Sequence, residues 1–144
     1  MGLIRRMIYA NLVPKRIKEA ERFTQGIVEK EMKPEYHAKG WGYELWIHND
    51  EEYCGKLLFF KEGKRCSLHY HEKKLETFYL QSGKMILRYG DVIDEIQETL
   101  LTPGDSFEVY RGLIHQMIAL EDSELFEFST EHFEDDSIRI KKGD

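Results

Sequence analysis

The chain is short of the residues that staple, break or anchor a polypeptide. Of 144 residues only two are cysteine, three proline and two tryptophan. Cys54 and Cys66 form neither a zinc-type spacing nor a disulfide framework, which makes cytoplasmic residence the simplest expectation. No apolar run approaches the roughly 20 residues that a membrane helix needs. Residues 1–13 carry the basic pair Arg5-Arg6 but no sustained apolar core or small-residue cleavage site, so neither secretion nor membrane insertion is expected. Positive charge is in deficit as well. With 21 Lys and Arg against 27 Asp and Glu the net charge is −6, which argues against non-specific nucleic-acid binding.

What remains is a strand former. At this length one core is expected, since a second would be too small to stand alone. Residues 14–23, with Pro14 in the first turn and good helix formers behind it, predict one short helix ended near Gly26, and residues 7–13 predict an edge strand. From residue 26 onward short apolar runs alternate with turn residues, the spacing of an all-β sandwich or barrel. Strands are expected at 27–31, 43–48, 53–61, 67–70, 77–81, 84–89, 94–101, 106–109, 116–120 and 124–129, with a last short segment at 138–140. Asn49-Asp50, Ser82-Gly83 and Pro103-Gly104-Asp105 are among the turns. The organisation predicted is an arm with a short helix over 1–25 and a β-barrel domain over 26–144.

Chemistry concentrates at His69 and His71. In an extended chain these side chains, two apart, share one face with Ser67. Glu76 lies an odd number of residues further on, so a bend is required, and the charged stretch Glu72-Lys73-Lys74, unsuited to a core, can supply it. Glu76 then returns to the inner face with Phe78 and Leu80. A fourth donor must come from another strand, and His115, aligned with Met117 and Ala119, sits in such a run. Three imidazoles and a carboxylate suit one divalent ion, Zn, Mn, Fe, Ni or Co. The competing reading of any one such histidine is a hydrogen-bonded core residue. Cys66 alternates to the face opposite His69 and is expected to be a buried, unreactive thiol rather than a ligand.

Gly63, His69, His71, Glu76 and Gly83 stand in the pattern G-x5-H-x-H-x4-E-x6-G, which resembles the first motif of the cupin superfamily in full. The second motif is met by Gly104, Gly112 and His115, with Tyr110 in place of its proline and Ala119 in place of its asparagine. The resemblance implies a cupin-type double-stranded β-helix, an all-β jelly-roll barrel, with His69, His71, Glu76 and His115 as metal ligands. A narrower likeness is to the cupin domain of type II mannose-6-phosphate isomerases: Trp41-Gly42-Tyr43-Glu44 is similar to that family's entry segment and Glu134-Asp135-Asp136-Ser137-Ile138-Arg139 to its C-terminal stretch. Gln116 departs from it, standing where an Arg commonly follows the last histidine.

That likeness implies a metal-dependent isomerase or epimerase of a sugar or sugar phosphate, with a non-haem iron dioxygenase and a non-catalytic carbohydrate-binding or sensing module as alternatives. Glu44 and Glu127, carboxylates within apolar strands where burial raises a pKa, are the candidate bases, the alternative for each being an outward-facing strand carboxylate. Arg88, Arg111 and Arg139 are candidates for the substrate's phosphate, Arg139 by the family likeness. Exposed strand edges and an apolar N-terminal arm predict a homodimer.

Overall fold

The computed structural model describes residues 33–144. Eleven strands and two single-turn 3-10 helices, Ile93–Glu95 and Glu134–Asp136, follow one another there. The strands are β1 (Glu35–Lys39), β2 (Gly42–Asn49), β3 (Cys54–Phe60), β4 (Leu68–Tyr70), β5 (Glu76–Ser82), β6 (Met85–Gly90), β7 (Gln97–Leu101), β8 (Ser106–Val109), β9 (Ile114–Ala119), β10 (Ser123–Ser129) and β11 (Ile138–Lys141). They form a six-stranded sheet in the order β1-β2-β3-β10-β5-β8 and a five-stranded sheet in the order β11-β4-β9-β6-β7. Neighbours run antiparallel, the crossed-over order of a jelly roll.

Period-two patterning puts these residues into strands. In β3, Cys54, Lys56, Leu58 and Phe60 are buried while Gly55, Leu57 and Phe59 are half-buried. In β5, Glu76, Phe78 and Leu80 alternate inward, and in β10 Ser123, Leu125 and Glu127 do the same. The five-stranded sheet contributes Met85, Leu87, Leu101, Met117 and Ala119 to the same apolar cluster as Leu58, Phe78, Leu80 and Leu125. Each fully buried leucine stabilises the fold by about 1.5–3 kcal/mol. Gly83 closes the β5–β6 turn at φ +88, where a Cβ would lie 2.2 Å from Ser123 Oγ and 2.4 Å from the Asp122 carbonyl. Only glycine meets both demands.

Within the described residues the expected strands are present, most with shifted ends, apart from three differences. Residues 94–101 begin as the 3-10 turn Ile93–Glu95, and only Gln97–Leu101 is strand. The strand expected at 116–120 starts two residues earlier, at Ile114. β1 was not anticipated, because its sequence EYHAK lies at the sheet edge, mostly exposed, and needs no apolar alternation to pair with β2. The helix at 14–23, the strands at 7–13 and 27–31 and the boundary at residue 25 lie outside the described residues. No helix among the described residues is long and apolar enough to cross a membrane.

Candidate metal centre

The pairing between β4 and β9 sets His69 directly opposite His115, so both rings project to one face with centroids 4.4 Å apart. His71 follows β4, where its carbonyl accepts the N–H of Gly112 at 2.7 Å, and Gly112 turns there at φ +86. Each ring is oriented by a backbone carbonyl on its Nδ1: Ser67 at 2.9 Å for His69, Asp136 at 2.9 Å for His71, and Leu113 at 3.0 Å for His115. A carbonyl only accepts, so each Nδ1 carries the proton and each Nε2 is left with a lone pair. One nitrogen from each ring falls within 4.8 Å of the other two, a group that can hold a metal ion. Burial, reinforced by the neighbouring His115 and His71, lowers His69 to about 3. Burial likewise lowers His71 to about 4. Both rings are therefore neutral, the form that ligates.

Glu76 enters from the six-stranded sheet at the start of β5, after the expected bend. Asp136 organises that bend: its carboxylate accepts the N–H groups of Glu72, Lys73 and Lys74, each at 3.0 Å, while its carbonyl holds His71. Glu76 Oε2 lies 3.5 Å from His71 Nε2 and 3.3 Å from His115 Nε2, and no hydrogen-bond donor reaches it. Buried lone pairs that face one another without a proton between them lack a cation. A divalent ion fits this donor set in chemistry, and backbone-anchored imidazoles are its usual supports. Burial raises the Glu76 carboxyl, but the Lys74 ammonium outweighs it and holds it well below the usual carboxylate range.

The opposite wall carries charge. Lys56 is 1% exposed and Lys74 3%, although the stretch Glu72-Lys73-Lys74 was expected to suit solvent. Across the inner face of the six-stranded sheet runs an alternating row: Lys39 on β1, Glu44 on β2, Lys56 on β3, Glu127 on β10, then Lys74 from the bend and Glu76 on β5. Successive contacts are 3.7 Å, 3.6 Å, 3.9 Å and 2.9 Å, and Lys74 closes the row on Glu76 Oε1. Trp46 Nε1 donates to Glu44 Oε2 at 2.7 Å, and Lys56 Nζ sits 4.5 Å above the Trp46 ring. Burial opposes the Lys74 charge, yet Glu127 and Glu76 raise its pKa above the ordinary lysine value.

A cavity of about 360 Å³ joins the two walls, and it is lined by the three histidines, Glu76, Glu44, Glu127 and Arg139 among others. Glu44 and Glu127 thus face inward, but the expected rise for Glu44 is overturned. Burial does push it up, while Lys56, the Trp46 indole and Lys39 together bring it below the ordinary value. Arg139 stands opposite His69 on β11. Arg88 and Arg111 do not line the cavity: Arg88 donates to Gln116 at 3.0 Å and forms an ion pair with Glu98 at 3.2 Å, and Arg111 donates to the Lys73 carbonyl at 2.7 Å. Cys66, expected on the far face from His69, also lines the cavity, because β4 begins only at Leu68 and alternation does not reach back to it. The residue is half-buried rather than buried as expected, yet desolvation of its thiol pushes it up to about 12, in keeping with an unreactive group.

Four contributors escaped the sequence reading: Lys56, Lys74, Asp136 and His132. The first two carried a signal, since Lys56 shares parity with Leu58 and Phe60, and Lys74 with Glu76 and Phe78. His132 lines the cavity edge-on to Trp46, its backbone clamped by Asn49 at 2.8 Å and 3.2 Å. Nothing local in the sequence marks it.

Residues 57–128, half of the chain, match the family model of the Cupin domain. No curated protein matches the chain. Among solved structures it is similar to CapF, a capsular polysaccharide assembling protein from Staphylococcus aureus, with a TM-score of 0.67, 20% identity and 75% of this chain covered. KdgF from Halomonas sp. superposes with a TM-score of 0.61 at 19% identity over 70% of this chain. Oxalate decarboxylase from Bacillus subtilis gives 0.67 at 19% over 74%. The alignments span 34% of CapF and 30% of the decarboxylase but 91% of KdgF. At these identities the likeness is one of fold.

Proposed function

The chain belongs to the cupin domain family, and on that footing we propose that it is a metal-dependent enzyme of a sugar or sugar phosphate, an isomerase or epimerase akin to type II mannose-6-phosphate isomerases. The observation that carries this reading is the convergence of three proton-free Nε2 atoms and an unpartnered Glu76 oxygen on a cavity sized for a small molecule. CapF, which assembles a capsular polysaccharide, lends support to a sugar as substrate. The Mn(II) centres of oxalate decarboxylase do the same for a divalent ion.

Held by His69, His71, His115 and Glu76, the ion would supply Lewis acidity to a substrate carbonyl and its neighbouring hydroxyl. Glu127 is the preferred base for the proton that moves between adjacent carbons. Its Oε1 is taken by Lys74 at 2.9 Å and Ser129 at 3.2 Å, and the second oxygen is available to substrate. Glu44, kept ionised, accepts a substrate hydroxyl, and the cation of Arg139 suits a phosphate or carboxylate. Arg88 and Arg111 are assigned no part. A homodimer belongs to the proposal, resting on the edge strands β1, β7, β8 and β11.

The test is aldose–ketose conversion over a panel of sugars and their phosphates, with Mn²⁺ or Zn²⁺ and without oxygen. Glu127→Gln is expected to lower kcat by about 10²–10⁴-fold while metal content holds. Iron-dependent oxygen uptake would reassign the chain as a dioxygenase. Loss of metal in Glu76→Gln with the biological effect intact would reassign it as a binding module.

A further inference from the structure

The two oxygens of Glu76 have different surroundings. Oε2 faces the imidazole Nε2 atoms of His71 and His115 at 3.5 Å and 3.3 Å and receives no hydrogen bond. Oε1 is engaged by the ammonium of Lys74, which is itself held by Glu127 Oε1 at 2.9 Å. All three residues are buried. Glu127 is braced in turn by Lys56 and Ser129. An ammonium in this position repels a cation at the centre, while Glu127 and Glu76 offset its own buried charge.

We infer that Lys74 is a positioning residue that reserves one Glu76 oxygen for itself, so that Glu76 gives a metal ion a single donor atom. The inference rests on the metal-dependent reading above and deepens it. With three histidine nitrogens and one carboxylate oxygen the protein contributes four donors, and an ion that accepts six keeps two places for a chelating substrate, such as adjacent oxygens of a sugar. Were Lys74 absent, both oxygens of Glu76 would turn to the ion, and one of those places would be filled by protein. On this account Glu127 and Lys56 matter to the site because they keep the Lys74 ammonium from swinging away.

The experiment compares Mn²⁺ binding and water-proton relaxation in the wild-type protein, Lys74→Met and Lys74→Arg, with no substrate present. Lys74→Met is expected to bind Mn²⁺ more tightly, on the order of tenfold, because a repelling charge has gone and a donor has been gained. It is also expected to lower the relaxivity of the bound ion, since fewer exchanging waters remain on it. Lys74→Arg should keep the wild-type relaxivity. A buried carboxylate left alone threatens the fold of Lys74→Met, so the double variant Lys74→Met/Glu127→Met, which removes the pair together, carries the same two readouts. Relaxivity unchanged in a folded variant lacking Lys74 would overturn the inference and reduce Lys74 to a structural counter-charge. A wild-type protein that binds no Mn²⁺, Zn²⁺ or Fe²⁺ would overturn the metal reading itself, a distinct result.

Discussion

The two walls of the cavity solve opposite problems. On the histidine wall, neutral rings are fixed by backbone carbonyls and only lone pairs point inward, a donor set suited to a cation. On the facing wall, full charges run from exposed Lys39 through half-buried Glu44 to buried Lys56, Glu127 and Lys74, alternating in sign from strand to strand, so the row is complete within itself. Glu76 belongs to both, with one oxygen in each. A buried charge is therefore tolerated here in two ways, by a neighbour of opposite sign or by an ion from solution, and the junction between them is the most constrained point of the site.

That contrast can be broken from either side. His115→Ala should have the largest effect, reducing metal affinity by more than about 100-fold, as metal analysis after dialysis would show, while the β-type circular dichroism persists. Retention of stoichiometric metal would dissolve the distinction between the walls. Lys56→Ala should instead act on stability, costing about 3–5 kcal/mol in urea unfolding because Glu44 and Glu127 would lose their shared counter-ion. A loss below about 1 kcal/mol would mean that the row is solvated rather than self-complete. Asp136→Ala touches the histidine wall at one remove, since Asp136 shapes the 72–74 bend. It should weaken metal binding by about 10–100-fold, and an unchanged affinity would show that its carbonyl alone suffices.

The smallest change expected is in pH dependence. Burial, then the positive Lys56 and Lys74, lower His132 to about 3 from the ordinary 6.5. The unfolded chain takes up this proton first as pH falls, so the stability linked to His132 is full above about 6.5 and erodes towards 3. In metal-free protein His132→Gln should flatten the slope of urea midpoint against pH in that window. An unaltered slope would place His132 outside the influence of the charged wall.

The histidine wall was the more legible from sequence because its chemistry is written in local spacing. A single residue separates His69 from His71 in an extended stretch, and a turn of fixed length returns Glu76 to the inside. His115 was found by its apolar strand. The charged wall is written across five strands, and no local pattern joins Lys39, Glu44, Lys56, Glu127 and Glu76. Parity was the readable clue, placing Lys56 with Leu58 and Phe60. The habit of assigning charge to solvent hid it, as it did for Lys74 in the bend. Arg111 shows the converse failure: a candidate for the substrate's phosphate, it turns its guanidinium to the Lys73 carbonyl and braces the loop instead. β1 went unseen because an edge strand obtains its order from the partner's backbone rather than from its own side chains.

β4 is three residues long, and the only register shared with β9 is the one between His69 and His115. β11, which brings Arg139 to the rim, is attached to the five-stranded sheet through β4. The seam between β4 and β9, continued by the bonds of Gly63, Lys64 and Cys66 to β9, thus holds two of the candidate ligands, and whatever bridges those imidazoles also clasps it. Amide hydrogen exchange should report this directly, with β4 and β11 opening together in the metal-free protein and closing together when the ion is added.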